Sequence, residues 1–160
     1  MKTYKISELI AKNTQKYRFS TSSLKKLLNV DSRLVDLCFD IAKYIDIKVI
    51  QGYRTPEQQH ALYSQGRSTK DGYIKKSKHQ SHRAVDLLPL PKIKESSMYA
   101  NSQENSLRWA YFTGFVQALA LSKGIKIRAG WKWRTSPMNT LARPLSENTL
   151  VDSNHFEIRT

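Results

Sequence analysis

The sequence has one cysteine, no long apolar run, and about half as many acidic as basic side chains. A single cysteine excludes an intrachain disulfide and a cysteine-rich zinc ribbon. It stands in the apolar run Leu37-Cys38-Phe39 and reads as a small core residue. The opening MKTYKISELIAKNT is basic but lacks the apolar stretch of about 7–15 residues that marks a secretion signal. No window approaches the roughly 20 apolar residues of a membrane span. The expectation is a chain made in, and at first kept in, a cytoplasm. There is no internal repeat and no low-complexity segment. The 13 acidic residues against 27 basic ones give a net charge of +14, which calls for an anionic partner or setting. Nucleic acid, an acidic membrane face and an anionic cell-wall polymer all qualify. Against a nucleic-acid module, the basic residues are spread through every segment, and no zinc-finger or helix-turn-helix pattern occurs.

What is present suits one folded domain spanning 1–160, with 1–19 as a basic arm or short helix. The apolar share of 39% is enough for a core. Ser20–Ser23 supplies capping hydroxyls before Leu24, Leu27 and Leu28. Asp31-Ser32 caps a helix whose apolar positions from Leu34 to Ile45 recur at three and four. Ile47 to Gly52 reads as a strand, and Thr55-Pro56-Glu57 starts a helix that stops at Gly66. Ala84–Leu88 is a strand ended by prolines. Leu107–Leu121 is an aromatic-rich helix with Trp109 to Phe115 as core and Gly124 as its stop. Ile125–Ile127 begins a strand, and Phe156–Ile158 is the last. Strands this closely spaced do not fit regular βαβ units. The expected class is α+β, with a small antiparallel sheet packed against helices.

Two strands share a pattern that carries chemistry. In Ala84-Val85-Asp86-Leu87-Leu88, alternation sends Val85 and Leu87 to one face and Asp86 to the other. In His155-Phe156-Glu157-Ile158, Phe156 and Ile158 take one face, His155 and Glu157 the other. In one sheet, Asp86 and His155 converge, and His79 reaches them from the preceding loop. Two imidazoles and a carboxylate are a usual ligand set for catalytic Zn²⁺, with the fourth position left to water. A base must take that water's proton. Asp152 and Glu157 both lie close enough in sequence, and Asp152 is favoured because it stands outside the alternating strand.

These residues resemble a known family. Ser77-x-His79, Ala84-x-Asp86 and the later Asp152-x-x-His155-x-Glu157 resemble the zinc peptidases of the VanY and D-Ala-D-Ala carboxypeptidase group. Within it, the chain is most similar to single-domain L-alanyl-D-glutamate endopeptidases used as phage endolysins. Gln51-Gly52-Tyr53-Arg54-Thr55-Pro56-Glu57-Gln58-Gln59, followed by Leu62-Tyr63 and Gly66-Arg67, resembles the same family's strand-end segment. The likeness covers about residues 17–160. It implies a fold of the hedgehog and D-Ala-D-Ala peptidase type, its sheet carrying zinc on His79, Asp86 and His155. It further implies Asp152 as general base, Arg54 facing a substrate carboxylate or the developing oxyanion, Ser77 bonding substrate or bracing the loop, and Glu157 orienting a ligand imidazole.

Two departures stand out. His82 occupies the family's glycine position between the ligands, so it either adopts an unusual backbone conformation or marks a reshaped loop; it is read as a pocket residue rather than a ligand. Trp131-Lys132-Trp133 places lysine where relatives carry aspartate, and His60 reads as a helix-surface residue. The implied activity is hydrolysis of peptidoglycan stem peptides at L-Ala–D-Glu by a monomer that a holin releases from the host cytoplasm to the periplasmic wall. The alternatives are a D-Ala-D-Ala carboxypeptidase, a basic nucleic-acid-binding module, and a metal-binding fold without catalysis.

Overall fold

The computed structural model describes residues 1–90, 103–130 and 154–159. Three short helices lead the chain: α1 (Ile6–Lys12), α2 (Thr21–Leu27) and α3 (Ser32–Ile41). The hydroxyl of Ser20 accepts from the Ser23 N–H at the start of α2, and the Asp31 carboxylate accepts from the Arg33 N–H at the start of α3. Each cap satisfies a backbone donor that the helix itself leaves open. Strand β1 (Ile47–Gln51) follows, then α4 (Pro56–Ser64), β2 (Ala84–Pro89), α5 (Gln103–Ser122), β3 (Ile127–Ala129) and β4 (His155–Ile158).

The four strands form one antiparallel sheet in the order β1-β2-β4-β3. Its apolar face carries Val49, Val85, Leu87, Phe156 and Ile158, all in one core with Leu34, Leu37 and Ile41 of α3 and Trp109, Phe112 and Val116 of α5. Phe112 meets Phe156 edge to face, with ring centroids 5.8 Å apart. Cys38 lies in this core, and burial pushes its thiol up to about 12, so it is an inert apolar residue at neutral pH. No described helix is long and apolar enough to cross a membrane.

The α+β architecture and the small antiparallel sheet are as the sequence led one to expect. Two corrections concern α5. It starts at Gln103, a turn before the aromatic run. Its aromatics are also not all core: Trp109 and Phe112 are buried, but Tyr111 is 73% exposed, as are most of Leu107 and Leu121. The residues 131–153, which include Trp131 and Trp133, lie outside the described residues.

Candidate metal centre and active site

The sheet register brings the expected ligands together. Asp86 on β2 and His155 on β4 are direct cross-strand partners, so their side chains leave the same face. Beyond Val49, β1 takes one extra residue, Ile50, before Gln51 pairs with Asp86. This bulge turns the end of β1 toward the polar face. It delivers Gly52 to where its carbonyl accepts from the His79 ring at 2.7 Å.

That contact sets the tautomer of His79. A carbonyl only accepts, so Nδ1 carries the proton and Nε2 turns its lone pair inward. His155 is oriented the same way by a different device. Its Nε2 lies 3.2 Å from Glu157 Oε2, and Glu157 is held by Arg128 on β3, with Nε–Oε1 at 2.9 Å and Nη2–Oε1 at 2.6 Å. Burial alone would raise the Glu157 carboxyl, but the hydrogen bond from His155 and the charge and hydrogen bonds of the Arg128 guanidinium hold it below its ordinary value. As a carboxylate, Glu157 accepts the Nε2–H of His155, and Nδ1 faces the cluster.

Three acceptor atoms therefore converge. His79 Nε2 lies 3.2 Å from His155 Nδ1 and 3.2 Å from Asp86 Oδ1, and His155 Nδ1 lies 3.0 Å from Asp86 Oδ1. Tetrahedral ligands about 2.0–2.1 Å from an ion sit roughly 3.3 Å from each other, close to this triangle. With the ring protons committed outward, the three lone pairs repel unless positive charge stands between them. The donor set and its spacing thus fit a divalent cation. Burial would raise the Asp86 carboxyl, but positive charge on the inward side of His79 and His155, with the hydrogen bonds that protons there would donate, outweighs it and keeps Asp86 well below the usual range; a cation between the three groups takes the place of those protons. A ligand carboxylate must be ionised, and this one is.

Arg54 follows β1 and enters the same neighbourhood. Its Nη2 lies 4.0 Å from Asp86 Oδ2, its Nη1 donates to Gln59 Oε1 at 2.7 Å, and its N–H donates to the His79 carbonyl. Ser77 Oγ is buried and has no hydrogen-bond partner among the described residues; the Ser77 N–H donates to Gln80 Oε1. Asp152 lies outside the described residues. His60 is exposed on α4, its Nδ1 3.0 Å from the Asp71 carbonyl.

His82 stands apart from the cluster. Its φ is +63°, the left-handed region that glycine enters without cost. The unusual backbone expected at this position is present, held by the side chain itself. Nδ1 lies 2.6 Å from the Asn29 carbonyl, the ring stacks on Tyr53 at 4.4 Å, and the His82 carbonyl accepts from the Asp31 N–H. These contacts tie the ligand loop to the turn between α2 and α3.

Sequence reading assigned no role to three residues that shape the site: the carbonyl of Gly52, Arg128 and Gln59. Arg128 had a weak signal as a lone cation in a short apolar strand. The other two stand in the Gln51–Gln59 segment that resembles the family, but their roles depend on main-chain and loop contacts that residue types alone do not show.

A pair of oriented imidazoles and an ionised carboxylate, gathered on the polar face of a small antiparallel sheet beside an arginine, is a donor set that fits a divalent cation in the setting of a hydrolase site. The profile described as "Phage L-alanyl-D-glutamate peptidase" matches residues 15–159, and the chain belongs to that family. It is an L-alanyl-D-glutamate peptidase, a peptidoglycan hydrolase of the phage-endolysin kind. The crystal structure of the Serratia marcescens L-Ala D-Glu endopeptidase ChiX superposes with a TM-score of 0.61 at 22% identity, covering 88% of this chain and 89% of that one. At this identity the likeness speaks for a shared fold. No curated protein sequence matches the chain.

Proposed function

We propose that the metal is Zn²⁺, held by His79 Nε2, His155 Nδ1 and Asp86, and that the chain uses it to cut the L-Ala–D-Glu bond of the peptidoglycan stem. The observation that carries this is the inward convergence of three acceptors, the two imidazoles having spent their ring protons on Gly52 and Glu157. Nitrogen and oxygen donors in this number suit zinc and leave one position open. When bound, the ion supplies a Lewis acid that brings a water's pKa toward about 7. The chain's own groups do the rest. Arg54 presents its guanidinium to a substrate carboxylate or to the developing oxyanion. Asp152 takes the water's proton and delivers it to the leaving amine, a role supported by its place three residues before His155. Ser77 offers its buried hydroxyl to the substrate, Glu157 keeps His155 in its tautomer, and His82 fixes the loop from outside the ligand set.

Peptidoglycan is anionic, so the +14 charge favours capture and makes lysis weaken with salt. In this reading the protein is a monomer that waits in the host cytoplasm and reaches the periplasmic wall when a holin opens the membrane. The test is digestion of purified Gram-negative murein by the metal-loaded chain, with elemental analysis and mass spectrometry of the products. One zinc per chain and new N-terminal D-Glu are expected. Free D-Ala would assign the carboxypeptidase reaction instead, and activity that persists in Asp86→Ala after chelation would remove zinc from the mechanism.

A further inference from the structure

Gln59 is a polar side chain with no exposed surface, on the inward side of α4. Its amide is fully committed. Nε2 donates to the Lys70 carbonyl at 2.8 Å and to Ser68 Oγ at 2.9 Å. Because that carbonyl only accepts, the amide's orientation is fixed, and Oε1 is left pointing at Arg54 Nη1, 2.7 Å away. The segment it grips cannot back off, because Gly72 lies so close to α4 that a Cβ there would stand 2.7 Å from the Pro56 carbonyl and 3.0 Å from Gln59 Cβ. Gln80 Nε2 then donates to the Gly72 carbonyl at 2.6 Å, closing the path back to the loop that carries His79.

We propose that Gln59 is a positioning residue for the peptidase reaction: its Oε1 fixes the Arg54 guanidinium beside Asp86, and its Nε2 locks that setting to segment 68–72. The proposal rests on the assignment of Arg54 to the substrate. An arginine has several rotatable bonds, and a guanidinium displaced by about 1 Å forfeits up to roughly 100-fold in rate. One acceptor at a fixed position removes that freedom. A charged acceptor does the same for Arg54 but not for the loop, where a second carboxylate oxygen meets the Lys70 carbonyl. Activity and stability therefore rank the variants differently.

The experiment measures kcat/KM on purified murein and the unfolding temperature, using metal-loaded full chains. Gln59→Met is expected to lose about 10- to 100-fold in kcat/KM, and Gln59→Glu to recover most of it. In unfolding temperature, Gln59→Glu is expected at or below Gln59→Met. In an Arg54→Ala background, Gln59→Met should cost less than about twofold, since the two residues act as one unit. Activity that simply follows unfolding temperature, or a Gln59→Met penalty undiminished in the Arg54→Ala background, overturns the proposal. If Arg54→Ala alone leaves the rate unchanged, the assignment of Arg54 fails and the proposal goes with it. Should Gln59→Met not fold, Gln59→Asn replaces it, because its shorter amide cannot reach Arg54 and Lys70 together; the same loss and the same cycle are expected.

Discussion

At position 82, glycine should be more stable than alanine, the reverse of the usual order. His82 holds φ = +63°. A residue with a Cβ pays about 1–2 kcal/mol to stay in that region. The native side chain offsets this with the hydrogen bond to the Asn29 carbonyl, worth roughly 0.5–1.5 kcal/mol net, and the Tyr53 stack, worth about 0.5–1.5 kcal/mol. His82→Ala loses both contacts and keeps the strain, so it should destabilise by about 1–3 kcal/mol. His82→Gly loses the same contacts, sheds the strain, and gives back roughly 0.5–1 kcal/mol through the greater freedom of its unfolded chain. Glycine should therefore lie about 0.5–1 kcal/mol above alanine. Urea unfolding at unchanged m-value reads this difference directly. Alanine equal to or above glycine would refute the strain argument. Zinc content should stay at one per chain in both variants, and its loss in either would mean that His82 serves the metal after all.

Gly52→Ala should disrupt the site from a distance. The new Cβ would stand 1.8 Å from the Lys26 carbonyl and 2.8 Å from Val30 Cγ2, so the end of β1 must move, taking the acceptor of His79 with it. A loss of at least about 3 kcal/mol in stability, with weakened metal binding, is expected by denaturant titration and metal competition. Glu157→Gln should lower metal affinity by roughly 10- to 100-fold in the same competition assay, because its amide holds neither the His155 tautomer nor Arg128 as firmly. The Arg33 hydrogen bonds to Asp31 hold that cap carboxyl below its ordinary value, and Glu157 is depressed as well. Groups with depressed values stabilise the fold above their unfolded pKa of about 4 and lose that contribution as pH falls through the folded one. Urea midpoints should thus fall between about pH 5 and pH 2, and less steeply in Asp31→Asn.

The parts of the fold legible in the sequence were those with a strong period. The three-and-four spacing of Leu34, Val35, Leu37, Cys38 and Ile41 placed α3, and alternation placed Asp86 and His155 on one face before any register was known. Helix α5 failed for the opposite reason. Its aromatic stretch is apolar nearly all round, so its sequence holds no signal for which side faces inward, and Tyr111, a core residue by pattern, stands 73% exposed. Its first turn, Gln103-Glu104-Asn105-Ser106, is polar and gave no sign of helix.

The site divides along the same line. A residue's type shows that it can be a ligand, and the resemblance of three ordered motifs to the family singles out His79, Asp86 and His155 as candidates. What fits them to hold a metal is where two protons go, and that is a tertiary fact. One leaves on the main-chain carbonyl of Gly52, 27 positions upstream of His79, a group that every residue carries and that no side-chain type marks. The other leaves on Glu157, whose polar face alternation had directed away from the core. That face is buried too, because Arg128 arrives from β3 to neutralise the carboxylate. Alternation reports which side of a strand is apolar and says nothing about whether the other side meets water. In β4 the polar side is closed over by its own ion pair, and this closure lets His155 present a lone pair rather than a proton to Asp86.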